Sequence, residues 1–222
     1  PGGKRQQIVT YKNTFQFTNN EKWALVTNFT PAHSVTVVDL EGRKVLGDIE
    51  LPGCSMVYPT GERGFTTFCA DGTLTSIVLD PDGKVSSTVT TKPIHDIDNQ
   101  AMFAMPAMVG KTAWFVTYRG LIRGFDLSGP VAKPLKKDFS VGAADGGQPE
   151  WRPGGWQVIA SDANGRLYVL MTPFGREGSH KDASTEVWVL DPASKSRVAR
   201  IAMKGPSVSI EVTHEASPKL VV

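Results

Sequence analysis

The sequence lacks the residue patterns that mark a metal site, a covalent catalyst or a nucleic-acid-binding surface. Its four histidines are too scattered to have the spacing of metal ligands. There is no G-x-S-x-G nucleophile motif, and neither Gly146-Gly147 nor Gly154-Gly155 stands between a strand and a helix, as in a phosphate-binding loop. The net charge of +2, from 24 basic and 22 acidic residues, gives no reason to expect a nucleic-acid partner.

Long apolar runs and helical periodicity are also missing. No stretch approaches the ~18 apolar residues of a membrane-spanning helix, so we expect no membrane span. No secretory leader is present, but the chain begins at Pro1 and not at Met, so we interpret it as a processed or cut piece. What remains is short β-rich runs separated by turns, in a chain with 40% hydrophobic residues, 22 glycines and 15 prolines.

Both cysteines lie in one predicted β-hairpin, residues 51–72. The two arms contain the β-branched and aromatic residues typical of strands. With Gly61-Glu62 as a two-residue loop, the register pairs Cys54 with Cys69, at Cα atoms about 5.5 Å apart, a distance that a disulfide spans. The hairpin therefore predicts a Cys54–Cys69 disulfide and an oxidising compartment. Two free core thiols are the alternative.

The rest of the chain repeats one plan, a β-rich run that ends in aspartate, a turn, and a second β-rich run. The four copies are 34–51, 73–90, 121–139 and 185–203. An aspartate before a turn starts that turn by hydrogen-bonding the backbone two residues on. We therefore interpret these aspartates as turn residues and not as catalytic ones. They are Asp39, Asp80, Asp126 and Asp191.

A further strand precedes each pair, so units of about four strands recur along the chain, as in β-propeller blades. We predict blade-like units near 15–51, 54–90, 102–139 and 156–203, with the start of a further blade at 206–222. Two loop insertions, 140–155 and 173–184, explain the widest spacing between units. We expect an all-β fold in which residues 1–222 form a single partial β-propeller domain. A closed four-bladed propeller is the alternative.

Several segments resemble one known family, and they follow each other in order along nearly the whole chain. They are VVDLEG (37–42), PGCSMVYPTGERGFTTFCADG (52–72), WRPGGWQ (151–157), GRLYVLM (165–171), HKDASTEVWVLD (180–191) and RVARI (197–201). Together they resemble the heavy (α) subunit of the quinoprotein amine dehydrogenases, the methylamine and aromatic amine dehydrogenases. VVDLEG resembles the methylamine type more and HKDASTEVWVLD resembles the aromatic type more. The resemblance therefore does not decide which amine is the substrate.

The resemblance implies that this chain holds four to five blades of a seven-bladed propeller and the family's heavy-chain disulfide. It implies a periplasmic oxidoreductase of two heavy and two light chains, which oxidises primary amines to aldehydes and passes electrons to a blue-copper protein. The cofactor, tryptophan tryptophylquinone, belongs to the light chain, so we expect no cofactor, metal or catalytic residue in this chain. A stand-alone extracytoplasmic propeller that binds a partner, without a redox role, is the alternative.

We therefore interpret the five tryptophans as packing or interface residues. Those in predicted strands, where a large ring fills the space between blades, are Trp23, Trp114 and Trp188. The other two flank a glycine-rich stretch in loop 142–156. Because Trp and Arg are frequent interface anchors, we predict that Trp151, Arg152 and Trp156 contact the light chain. Packing of this loop on its own propeller is the alternative.

Overall fold

The structure, a computed structural model, describes residues 5–6, 11–141 and 150–222 of the chain, without the side chains of residues 5 and 6. Within these ranges the secondary structure consists of β-strands and two short 3-10 helices, Lys12–Thr14 and Ser179–Lys181. No helix in the described ranges is long and apolar enough to cross a membrane. The prediction of an all-β fold is confirmed.

The first two antiparallel sheets follow each other along the chain. Sheet 1 contains β1 (Arg5–Gln6), β2 (Phe15–Thr18), β3 (Trp23–Thr30), β4 (Ser34–Asp39) and β5 (Lys44–Glu50). Sheet 2 contains β6 (Cys54–Pro59), β7 (Gly64–Cys69), β8 (Leu74–Leu79) and β9 (Val85–Thr90). Each strand of sheet 2 pairs with the next in sequence, which is the meander of a propeller blade.

Two further large sheets and a short hairpin complete the described chain. Sheet 3 contains β10 (Ala107–Val109), β11 (Thr112–Val116), β12 (Leu121–Asp126), β13 (Lys133–Pro134) and β14 (Phe139–Ser140). Sheet 4 contains β15 (Arg152–Pro153), β16 (Ile159–Ser161), β17 (Leu167–Thr172), β18 (Ser184–Asp191) and β19 (Ser196–Ser207). Sheet 5 contains β20 (Glu211–Val212) and β21 (Leu220–Val221).

Sheet 3 departs from the regular hairpin that its repeat predicts. The second arm, 131–139, does not form one long strand but two short ones, β13 and β14, which both pair with β12. Pro134 lies in the middle of this arm and has no N–H to donate to a ladder, so a continuous strand is interrupted there.

The described chain divides into two compact units, each with its own apolar core. The first comprises the residues up to Ile97 and the segment Asp126–Lys133, and the second comprises Asp98–Phe125 and Pro134–Val222. In the first unit the core joins sheets 1 and 2, and in the second it joins sheets 3, 4 and 5. The three strand tryptophans are buried in these cores, so their interpretation as packing residues is confirmed; they are Trp23, Trp114 and Trp188. That both units belong to one partial propeller domain stays a prediction.

The repeated aspartates start turns, as their position in the repeat predicts. The carboxylates of Asp80, Asp126 and Asp191 each accept the backbone N–H two residues on, at 2.9 Å. Asp39 accepts the N–H of Gly42, three residues on, at 3.0 Å. The bond from Ala193 helps to hold the pKa of Asp191 below its ordinary value. These carboxylates therefore have a structural task.

The predicted disulfide is present, but the hairpin geometry from which it was predicted is only partly correct. Cys54 and Cys69 are paired residues of β6 and β7 and are bonded to each other. The predicted two-residue loop is wrong, because Thr60 pairs with Gly64 and the loop has three residues. A β-bulge at Met56, whose φ is +65°, shifts the register back by one residue. The Cα atoms are 3.9 Å apart, closer than the 5.5 Å expected of a hydrogen-bonded pair.

Replacing both cysteines by serine is expected to destabilise the folded chain by about 3 kcal/mol, because the disulfide closes a loop of about 15 residues in the unfolded state. Denaturant unfolding of the oxidised protein, the reduced protein and the double variant measures this. The reduced protein is the control and should match the variant. Equal unfolding midpoints for all three would show that the cross-link does not stabilise this hairpin.

Candidate functional site

The two inserted loops lie against each other at one end of sheet 4. The backbone N–H of Gly175 donates to the carbonyl of Glu150 at 2.8 Å, and that of Gly155 donates to the carbonyl of His180 at 3.0 Å. The hydroxyl of Ser184 donates to the carbonyl of Gly154 at 2.8 Å. We call the described residues of these loops, 150–156 and 173–183, the platform. The sequence located both insertions, but not their contact.

Glycines make the close approach between the two loops possible. A Cβ on Gly154 would lie 2.7 Å from the carbonyl oxygen of Asp182, and one on Gly155 would lie 2.6 Å from that of Val208. Gly155 also has a φ of +127°, which side-chain-bearing residues rarely adopt. The WRPGGW stretch is therefore a packing surface for the second loop, with glycine required where the backbones meet.

The second loop is closed on itself by its own side chains. The hydroxyl of Ser179 donates to the carbonyl of Arg176 at 2.8 Å, next to the 3-10 turn Ser179–Lys181. The Arg176 guanidinium forms an ion pair with Asp182 at 2.6 Å. The loop is thus held at both ends by the first loop and braced across its middle.

An open cleft lies beside the platform, within the second unit. It is lined mainly by charged and polar residues: Asp98, Asn99, Tyr118, Arg119, Arg152, Arg176, Glu177 and His180. The imidazole of His180 stacks on the ring of Tyr118, with centroids 3.9 Å apart and planes 5° apart. Burial, followed by the charge of Lys181, lowers the pKa of His180, which favours the neutral imidazole. The stack forms one wall of the cleft.

The arginines of the cleft differ in their pairing. Arg152 Nε is 2.8 Å from a Glu150 carboxylate oxygen, and Arg176 is paired with Asp182. Arg119 is exposed and has no ion pair with any carboxylate in the described part of the chain. Among the described residues no group of histidines, cysteines or carboxylates could hold a metal ion. The cleft therefore offers a guanidinium to an acidic group.

A second cluster, the tryptophan–arginine cluster, lies on sheet 4. The rings of Trp151 and Trp188 are 5.5 Å apart, and the Arg200 guanidinium lies over both, at 4.8 and 5.0 Å. Arg197 covers Trp188 at 4.3 Å. A β-bulge in the β18–β19 pairing, between Val189 and Leu190, allows two arginines three residues apart to face one ring.

Glu186 fixes this cluster. Its carboxylate accepts two hydrogen bonds from Arg200, at 2.7 and 2.8 Å, and one from the indole N–H of Trp188, at 2.8 Å. These bonds, the Arg200 contribution first, hold the pKa of Glu186 below its ordinary value. Trp188 is only 1% exposed. Its indole is therefore held by packing and by the hydrogen bond to Glu186.

The three predicted interface residues differ in their burial and in their contacts. Trp151 is half-buried against the core of the second unit, and its neighbour in the chain, Arg152, lines the cleft. Trp156 is 41% exposed and its backbone N–H donates to the carbonyl of Val208. Residues 142–149 of the predicted loop lie outside the described residues, and contact of the three with a light chain stays a prediction.

One residue of the platform was missed by the sequence reasoning. Phe174 is 72% exposed and has a φ of +58°, in the left-handed region that residues with a Cβ rarely adopt. The signal available in the sequence was a large apolar residue between Pro173 and Gly175 inside an inserted loop. This pattern is equally compatible with a buried phenylalanine, so the exposure of the ring could not be predicted.

Comparison with known proteins assigns a family along the whole chain. A family model described as methylamine dehydrogenase heavy chain matches residues 1–222. The methylamine dehydrogenase heavy chain of Methylorubrum extorquens is 32% identical over 99% of this chain and 53% of that protein. That of Paracoccus versutus is 30% identical over 99% of this chain and 51% of that protein. The chain thus spans about half the length of the curated relatives it matches.

Solved structures show the fold. Chaetomium thermophilum Raptor matches with a TM-score of 0.53 at 14% identity, over 91% of this chain and 17% of that chain. The beta-propeller domain of Myceliophteria thermophila Cps50 (Swd1) matches with a TM-score of 0.50 at 11% identity, over 91% of this chain and 61% of that chain. At such identities the likeness concerns the fold alone, and it agrees with the sheets described above. The fold is a β-propeller.

Replacing Gly154 by alanine is expected to loosen the second loop, because the added Cβ would meet backbone oxygens of Asp182 and Ser179 at 2.7 and 3.0 Å. We expect faster proteolysis within 173–183 and a lower unfolding temperature. Gly205→Ala is the matched control, since nothing lies within 4 Å of its Cβ position. Identical proteolysis rates for the two variants would contradict the role assigned to Gly154.

The stability of the second unit is expected to depend on the charge of Glu186. Because folding lowers its pKa, the charged carboxylate stabilises the fold at pH values above its ordinary pKa of 4.5, and this contribution is lost as the pH falls through the lower, folded pKa. Glu186→Gln should lower the unfolding temperature at pH 7. The unfolding temperature of this variant should also fall less steeply than that of the wild type as the pH is lowered. Glu41→Gln, in an exposed ion pair with Lys22, is the control and should change neither. A pH profile of Glu186→Gln parallel to the wild type would contradict this.

Proposed function

Because the chain belongs to the methylamine dehydrogenase heavy chain family, we propose that it is part of the heavy subunit of a quinoprotein amine dehydrogenase. The single observation that carries this proposal is the family match along all 222 residues. The enzyme that contains it oxidises primary amines to aldehydes. Within that enzyme this chain is a scaffold, and its task is to bind and position a smaller, quinone-bearing light chain.

The geometry of the platform supports a scaffolding role. Its two loops are braced by backbone hydrogen bonds, by the Ser184–Gly154 contact and by the Arg176–Asp182 ion pair. A preordered surface loses little conformational entropy when a partner binds, which favours stable association. In the proposal, the predicted contact residues act at different points of this surface: Trp156 at the exposed rim and Arg152 in the cleft. Trp151 acts indirectly, by holding β15 on the core.

The redox group in this proposal is tryptophan tryptophylquinone on the light chain, which supplies the electron sink for amine oxidation. The residues of this chain contribute by shape: they orient the light chain and exclude water from the contact between the two subunits. The buried and hydrogen-bonded indole of Trp188 fits a packing role. In this proposal the light chain takes part in forming the substrate pocket.

The proposal includes the setting of the enzyme. We propose a periplasmic complex of two heavy and two light chains with a blue-copper protein as electron acceptor. The Cys54–Cys69 disulfide supports an oxidising compartment, since structural disulfides persist outside the reducing cytosol. The family of the chain supports the light-chain partner.

Co-expression of the full-length heavy chain with a candidate light chain in a periplasmic host tests this function. We expect a stable complex that copurifies, absorbs as a quinone and reduces a dye only when a primary amine is added. Trp156→Ala should copurify less light chain, with Leu40→Ala, an exposed residue of the first unit, as the control. A heavy chain that stays alone with every candidate light chain would instead support a stand-alone binding propeller.

A further inference from the structure

Phe174 is an unusually exposed apolar side chain. At 72% it is the most exposed of the large hydrophobic residues in the described part of the chain. Leaving a phenylalanine ring in water forgoes the free energy gained by burying it. A single exposed apolar residue is ordinary on a protein surface, so the exposure of Phe174 does not by itself indicate a function.

The second observation is the backbone of the same residue. Phe174 has a φ of +58°, the left-handed conformation that disfavours any residue with a Cβ. Strained conformations persist only where the surroundings impose them, and they concentrate at binding sites. The sequence places phenylalanine, and not glycine, at a position where glycine would fold more easily.

The residues that follow Phe174 hold the backbone that carries the ring. The next residue, Gly175, donates its N–H to Glu150 and has its Cα against the Arg152 side chain, where a Cβ would lie 2.3 Å from Arg152 Cγ. Arg176 is then tied to Asp182. Phe174 is thus presented outward from a braced loop, which is the arrangement of a preorganised anchor residue.

The charge beside Phe174 indicates what kind of surface would cover it. Arg176, two residues on, lines the cleft together with Arg119. Arg176 is already paired, whereas the exposed guanidinium of Arg119 forms no ion pair with a carboxylate within the described ranges. A complementary partner therefore has an apolar pocket for the ring and, next to it, a carboxylate for Arg119.

We infer that Phe174 is the apolar anchor for the light chain, and that Arg119 pairs with a light-chain carboxylate beside that anchor. This inference rests on the proposed function, which names the light chain as the partner. The ring supplies affinity by being buried in a light-chain pocket, and the arginine supplies orientation and rate of association. The cleft of the heavy subunit is thus part of the subunit interface and not a small-molecule site.

Two substitutions of Phe174 in the full heavy chain test the anchor. We expect Phe174→Ala to weaken the heavy–light complex at least ~10-fold, as is typical of an aromatic anchor. Phe174→Gly should weaken it as much while leaving the unfolding temperature of the free heavy chain equal or higher, because glycine relieves the left-handed strain. Phe29→Ala is the matched control, since Phe29 is 55% exposed but lies in the first unit. Dissociation constants come from titration of purified heavy chain with light chain.

Substitution of Arg119 tests the charge separately. Arg119→Ala should slow association several-fold and reduce its dependence on salt, and Arg119→Glu should slow it further. Lys111→Ala, an exposed basic residue just before β11, is the matched control and should change neither the rate nor its salt dependence. The rate is measured in stopped flow at low and at physiological ionic strength. Association rates of both Arg119 variants equal to the wild type would contradict the pairing.

The outcomes separate this inference from the proposed function. If the wild-type heavy chain binds no light chain, the proposed function fails. If the wild type binds and both Phe174 variants bind equally well, only the anchor is overturned. If Phe174→Ala instead destabilises the free heavy chain, the remainder of that chain covers the ring. If it abolishes self-association of the heavy chain without changing light-chain affinity, a second copy covers it. Each of the last two results also overturns the anchor.

Discussion

The structure depends on the burial of both faces of its antiparallel sheets. The central strands have almost no exposed side: β17 is buried at every position, and β8 at all but one. The outermost strands β9 and β19 are exposed along nearly their whole length. A sheet with two apolar faces needs a neighbour on each, which explains why the sheets of each unit share one core. The blades of a β-propeller cover each other's apolar faces in the same way.

The same constraint decides which parts of the chain are free to vary. Strand interiors must remain apolar and regular, whereas the loops at the sheet ends carry little of the core. Sheet 4 uses this freedom: its two insertions pack on each other and hold charged and aromatic side chains outward. Gly154 and Gly155 allow this close packing, because backbone atoms of the second loop and of Val208 occupy the space that a Cβ at these two positions would need. The platform is thus formed mainly by loop residues, and sheet 4 supports it.

Much of the fold could be predicted from local chemistry. Aspartate turns and β-branched runs repeat in a pattern that indicates blades, and the turn bonds of Asp80 and Asp191 are those that the pattern predicts. The hairpin of the disulfide shows where such reasoning ends. Its loop is one residue longer than expected and its bulge at Met56 compensates, so the cysteines pair through two deviations that cancel. Neither deviation has a local sequence signal strong enough to predict it. The site was less accessible still, because the platform depends on contacts between residues about 25 positions apart, such as that of Gly155 with His180.

In the structure described above, the platform is already ordered before any partner binds. Hydrogen–deuterium exchange of the free, full-length heavy chain tests this at the amides of Gly155 and Gly175, which donate to the carbonyls of His180 and Glu150. We expect slow exchange at both amides without a light chain, at rates similar to those of the ends of β17 and β18. Exchange at the rate of an unstructured peptide, with protection only after the light chain is added, would contradict it.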